Sequence, residues 1–166
     1  MDNGFNYDDV SHYALEEDDE QALIAAQNEC TFMWSTKEGW PAGVVMSYVY
    51  DRSNFWLNVS SLRVRVQAVA REPRTSISIT SKGSGMEAPL SLTYKGTCEV
   101  LSDQATIDWF LPTLAKRLRA GDEQAQKKFV RLNNTPNRRL LRFKPVKKIG
   151  FESRKMRQAT LNAAWD

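Results

Sequence analysis

The 166-residue chain is poor in the residues that usually announce a chemistry. Its two cysteines, Cys30 and Cys98, form no CxxC pair, so neither a disulfide framework nor a zinc site is expected. Such thiols fit a reduced, cytoplasmic setting. The one histidine, His12, lies in an acidic N-terminal arm and reads as a bystander rather than an acid or base. No apolar run approaches the roughly 18 residues of a membrane span, and no basic-then-hydrophobic leader is present. Lysine and arginine are missing from residues 1–29, which hold nine acids. The remaining residues hold 11 acids against 23 bases, so the body of the molecule wants an anionic partner.

What is present is strand-forming sequence punctuated by turns, in one domain spanning 1–166, with 1–14 a loose arm. Residues 15–28 suggest a helix whose early acids favour its dipole. CTFMWST (30–36), PAGVVMSYVY (41–50) and NFWLNV (54–59) read as strands, the last two joined as a hairpin by DRS. Leu62, Val66 and Val69 give a short helix over 61–71, and Pro73 ends it. TSISIT (75–80) alternates, and 88–101 forms a long strand bent at Gly96. Ser102 or Asp103 caps a helix through Leu118, a further helix covers 122–132, and 138–151 is a last strand. The order predicts a mainly β protein with flanking helices (α+β), a small six-stranded antiparallel Greek-key-like barrel.

One stretch carries chemistry: Asn58-Val59-Ser60-Ser61-Leu62-Arg63-Val64-Arg65. If a serine caps the short helix, its free N–H groups and the two guanidiniums converge on an anion. The same spacing also fits a capped helix with two solvated arginines. A second basic region, Arg138 to Arg157, carries nine cations against Glu152 alone. No nucleic-acid-binding motif accompanies it, and outward charges also protect a strand edge, so nucleic acid is not expected as the partner.

Context favours the anion site. Gly39-Trp40-Pro41, Val44–Tyr50, Phe55-Trp56-Leu57, Ser60–Arg65, Glu72-Pro73-Arg74, Ser76–Thr80 and Lys95–Val100 follow one another over about 70 residues. In that order they resemble the flavin-binding split β-barrel superfamily of pyridoxamine 5′-phosphate oxidase-like proteins. The resemblance implies an FMN-binding oxidoreductase and a homodimer with the flavin at the subunit interface. It implies that Arg65, assisted by Arg63, meets the flavin phosphate, and that Asn58, Val59, Ser60 and Ser61 meet the ribityl chain and phosphate. Val44, Val45, Met46 and Ser47 would line the ring through backbone groups and the Ser47 hydroxyl, and Ser91 and Thr93 would reach it from the second subunit. Departures from the pattern, Arg65 for the usual lysine and Asn58-Val59 for a Tyr-Thr pair, argue against the vitamin substrate. The substrate and any catalytic side chain stay unnamed. A deazaflavin coenzyme presents a phosphate to the same loop, and a haem- or tetrapyrrole-binding or cofactor-free member of the barrel is the alternative class. The apolar runs Val44–Tyr50 and Leu90–Tyr94 are expected to need a dimer partner to cover them.

Overall fold

A computed structural model describes Asn6 and residues 8–163. Helix α1 (Glu17–Ala26) leads into strands β1 (Glu29–Ser35), β2 (Pro41–Asp51) and β3 (Asn54–Ser60). Then come α2 (Val64–Arg71), β4 (Arg74–Thr80), β5 (Leu90–Leu101), α3 (Gln104–Leu118) and α4 (Glu123–Asn133). Strand β6 (Arg138–Glu152) and helix α5 (Ser153–Asn162) complete the described chain. The six strands close an antiparallel barrel in the order β1-β2-β3-β6-β5-β4, the architecture expected from the strand and turn pattern.

Period-two alternation sorts each strand between two cores. Along β2, Met46 and Tyr48 point into the barrel beside Phe32, Phe55, Leu92 and Phe143. Val49, with Trp56 and Leu140, points outward and is buried under Phe110, Leu111 and Leu114 of α3. Helix α3 therefore lies along the outside of β2, β3 and β6, and α4 packs against α3. Asp103 caps α3, its Oδ1 accepting from Thr106 N–H at 2.9 Å. The bend in β5 is a register irregularity between Lys95 and Gly96. Gly96 is required there, because a Cβ would overlap the Lys144 carbonyl oxygen and the Phe143 ring.

Four expectations change. The apolar runs on β2 and β5 do not leave a half-barrel patch: closure buries Met46, Tyr48, Val49, Leu90, Leu92 and Tyr94, and of their hydrophobic residues only Val45 is strongly exposed, at 64%. Neither Ser60 nor Ser61 caps α2; Arg63 occupies the N-cap and no side chain caps the helix. The basic residues Arg154, Lys155 and Arg157 lie on helix α5, which the strand-centred reading missed because it carries no fully buried residue. The described part of the arm is anchored: Tyr13 is buried edge-on to Phe151 at 6.3 Å, and Lys155 Nζ donates to the Ala14 carbonyl at 2.9 Å. Among the described residues, no helix is long and apolar enough to cross a membrane.

Candidate functional site

A cavity of about 230 Å³ opens where the outward face of β2 meets the end of β3 and the first turn of α2. Val45, Met46, Ser47, Asn58 and Arg65 line it, bringing together five of the residues singled out in the sequence. Its far wall is apolar: Leu114 and Leu118 from α3 and Phe129 from α4. These three were missed, because helices distant in sequence supply them and only the folded packing brings them to β2. The same alternation that builds the cores decides what each strand residue can offer. Val44 packs against the barrel core, and Val59 is buried within it, so neither turns its side chain to the cavity. Ser47 and Asn58 face outward and can present polar groups.

Arg65 is the charged group of the cavity, and no carboxylate lines it. Its Nε is buried and has no hydrogen-bond partner among the described residues, an arrangement that costs free energy unless something else accepts. Burial, with the neighbouring Arg63 charge adding to it, pushes the Arg65 guanidinium below the usual arginine range. A group in that condition favours an anion beside it.

Asn58 is fixed by a network running away from the cavity. Its Nδ2 donates to Asn133 Oδ1 at 2.9 Å, and its Oδ1 accepts from Arg138 Nη1 at 2.8 Å. Arg138 also donates from Nε to the Asn133 carbonyl at 2.6 Å, tying the C-terminal end of α4 to β3. Burial pushes Arg138 down as well, and neither Arg138 nor Arg65 makes an ion pair among the described residues. The sequence placed Arg138 in a solvated basic run; its role beside Asn58 became visible only through the β3–β6 register, which pairs Asn58 with Leu140 and Ser60 with Arg138.

The remaining candidates lie around or away from this point. Ser60 Oγ accepts from Leu62 N–H at 3.3 Å, and Ser61 Oγ donates to Asn137 Oδ1 at 3.3 Å, so both serines are engaged in shaping the turn before α2. Arg63 is exposed beside them. Ser91 and Thr93 sit on β5, across the barrel from β2 in the strand order, and Thr93 Oγ1 donates to Ser78 Oγ at 3.0 Å. Within one chain they do not reach the cavity. Cys30 and Cys98 are buried, and burial pushes both thiols up to about 12, which leaves them protonated at neutral pH and inert as nucleophiles. His12 is exposed, 3.2 Å from Asp9.

No curated protein sequence matches the chain. Solved structures share its fold at low identity. A conserved hypothetical protein from Mycobacterium tuberculosis superposes with a TM-score of 0.74 at 14% identity, covering 93% of this chain and 92% of its own. The heme storage protein HutZ from Vibrio cholerae gives 0.66 at 11% identity, covering 82% and 94%. A FAD-binding protein from Mesorhizobium loti gives 0.63 at 17% identity, covering 84% and 96%. At such identities these likenesses speak to the fold alone. The family model described as pyridoxamine 5′-phosphate oxidase matches residues 17–148, most of the chain and the whole barrel up to the second half of β6. The chain belongs to that family.

Proposed function

We propose that the protein binds FMN with its phosphate on Arg65 and works as a flavin-dependent oxidoreductase on a substrate yet to be identified. The observation that carries this reading is Arg65: a half-buried guanidinium with an unpartnered Nε, lining a cavity with no carboxylate. A phosphate supplies the acceptor and the negative charge that this cavity lacks. Asn58, held by Arg138 and Asn133, and the Ser47 hydroxyl stand where a ribityl chain would follow the phosphate. Bound flavin supplies electron or hydride transfer; the chain supplies placement and electrostatics.

The cavity's 230 Å³ falls below the roughly 300–1,000 Å³ of small-molecule sites, so it suits the phosphate end of the cofactor rather than the whole. The ring would extend along the outer face of β2 past Val45, and a second copy would cover it, contributing Ser91 and Thr93. Exposed Val45, Leu62 and Val64, at 64%, 78% and 74%, give that association an apolar surface. The functional unit is therefore a homodimer, and the setting cytoplasmic. A deazaflavin coenzyme is the alternative occupant, since it offers the same phosphate. Haem belongs to the alternative class because one fold neighbour is named as a heme storage protein.

The deciding experiment is a visible absorption spectrum of the purified protein, then titration with FMN, phosphate-free riboflavin, a deazaflavin coenzyme and haemin. FMN binding at least about tenfold tighter than riboflavin supports the proposal, since about 1.4 kcal/mol of phosphate contact gives that ratio. Equal affinity for FMN and riboflavin, or binding of haemin alone, would overturn it. Absence of binding to any of them would favour a cofactor-free binding protein.

A further inference from the structure

The β2–β3 hairpin turns through Arg52 and Ser53, with φ angles of 49° and 59°. A two-residue hairpin with both central residues at positive φ is a type I′ turn, for which Asn-Gly is strongly preferred. Glycine fills the other left-handed positions among the described residues: Gly39, Gly83, Gly85 and Gly121. Here the chain keeps two ordinary L-residues in a conformation where the Cβ crowds the backbone. Strain of this kind persists where the surrounding structure enforces it, and it points to a use for the side chain.

That side chain stands between two cavities. One, of about 350 Å³, is walled by Trp56, Trp109 and Asp51 against the first turn of α3. The other, of about 430 Å³, is walled by Ser53, Asn54, Glu99, Arg142 and Lys144. Arg52 lines both. In the first, Trp109 meets Trp56 edge-on at 5.1 Å, and Trp56 Nε1 donates to the Asp51 carbonyl, which leaves the Trp109 ring as the adaptable wall. In the second, Arg142 is already answered, paired with Glu99 and stacked over Trp56 at 5.6 Å. Lys144 has no ion pair among the described residues. Arg52 has only Asp51 at 3.4 Å and is 85% exposed. An aromatic slot with one acceptor-only carboxylate thus adjoins a polar slot with cationic charge to spare.

We propose that this hairpin tip binds a guanosine monophosphate. The base lies against Trp109, with the Asp51 carboxylate accepting from its N–H donors, and the phosphate takes Arg52 and Lys144. Carboxylates accept paired N–H donors well, and arginine forks onto phosphate oxygens. The site is separate from the Arg65 cavity. From Thr106 to Leu114 along α3 is about 12 Å at the helical rise per residue, and the two cavities share no lining residue.

The test is calorimetric titration of the full-length protein with GMP, guanosine, CMP and inorganic phosphate. Saturable GMP binding, at least about tenfold tighter than guanosine, CMP or phosphate, is expected. The double variant Arg52→Asn/Ser53→Gly installs the preferred turn residues, so its melting temperature should rise while GMP affinity falls about tenfold or more. Lys144→Ala should weaken GMP several-fold, and Arg65→Ala should leave it unchanged. The proposal is overturned if GMP does not bind, if the stabilised double variant binds it like the parent, or if Arg65→Ala abolishes binding. The last result would place the nucleotide in the Arg65 cavity, the phosphate cradle of the proposed function.

Discussion

Two charged regions of the molecule treat their ionic groups in opposite ways. Where α1 docks on the barrel, the groups are answered. Glu20, 7% exposed, accepts from the Tyr94 hydroxyl and from Lys148 Nζ. Arg117 of α3 donates through Nη2 to the carbonyls of Ile24, Ala25 and Gln27, lies over the Tyr48 ring, and shares the Ile24 carbonyl with the Tyr48 hydroxyl. Its Nε stays unpaired, yet the guanidinium as a whole is spent on closing the C-terminal end of α1. In the cradle, Arg65 has no carboxylate and no partner for its Nε. Filled valences are what architecture looks like. A cation kept partly buried and unanswered is what a binding site looks like.

Substitutions can break this contrast. The largest effect is expected for Arg117→Ala. Hydrogen bonds to charged groups are worth roughly 1.5–3 kcal/mol each, but these share one partly exposed donor group, so a net loss of about 2–4 kcal/mol is expected in urea unfolding. FMN affinity, measured where the variant remains folded, should stay within about twofold of the parent. Arg65→Ala should do the reverse: FMN affinity falls roughly ten- to a hundredfold, equal to about 1.4–2.8 kcal/mol, while the melting temperature holds or rises. Riboflavin binding should not respond. If Arg65→Ala destabilises the fold as much as Arg117→Ala does, the contrast is wrong and Arg65 is architectural.

Alkaline titration sharpens the comparison on the α1 side. Burial first, and then the hydrogen bond to Glu20, raise the Tyr94 hydroxyl above its ordinary value of 10.0. Glu20 likewise raises Lys148 above its ordinary 10.5. The folded state holds both protons more tightly than the unfolded state. Their contribution is fully present below the ordinary values and is lost as pH rises through and beyond them. Stability should therefore decline as pH rises, beginning near pH 9 with the buried thiols Cys30 and Cys98 and steepening above about pH 10 as Tyr94, Lys148 and the buried Tyr48 hydroxyl add the same effect. Tyr94→Phe should remove only its own part of that limb; a parent that keeps its melting temperature through this range would show the network to be loose. The smallest effect is expected at Arg63, which is exposed beside the cradle: Arg63→Ala should weaken FMN by only about two- to threefold, and less at high salt.

The barrel was legible because its signals are local. TSISIT alternates on its face, Pro73 stops α2 just beyond Arg71, and Gly96 bends β5 where a side chain would collide with β6. Of the residues lining the cavity, Asn58 and Arg65 stood out in one stretch, and Ser47 only through the family resemblance. The rest depended on contacts between distant segments. Phe129, Leu114 and Leu118 close the cavity only after α4 has packed on α3. Arg138 reaches Asn58 across 80 positions of sequence. Ser60 looked like a cap, but its hydroxyl turns to Leu62 N–H and the helix begins later, at Val64. Helix α5 escaped because an apolar stripe is what betrays a helix, and this one buries none of its residues fully.

Closure of the sheet also governs how the molecule can fail. Among the described residues each strand has a hydrogen-bonded neighbour on both sides, so no strand leaves its whole edge open to a foreign strand, although stretches such as Pro41–Ser47 of β2 are paired on one side only. The protection is only as good as its narrowest seam, the β1–β4 ladder, whose register runs from Thr31–Ser78 to Met33–Ser76, against Leu90 to Leu101 along β5. Unzipping that short ladder would bare two complementary edges at once, one of them flanked by Phe32 and Trp34. During refolding or prolonged heating, cross-strand aggregation should start at that seam, and a disulfide or a bound antibody fragment that staples β1 to β4 should suppress it.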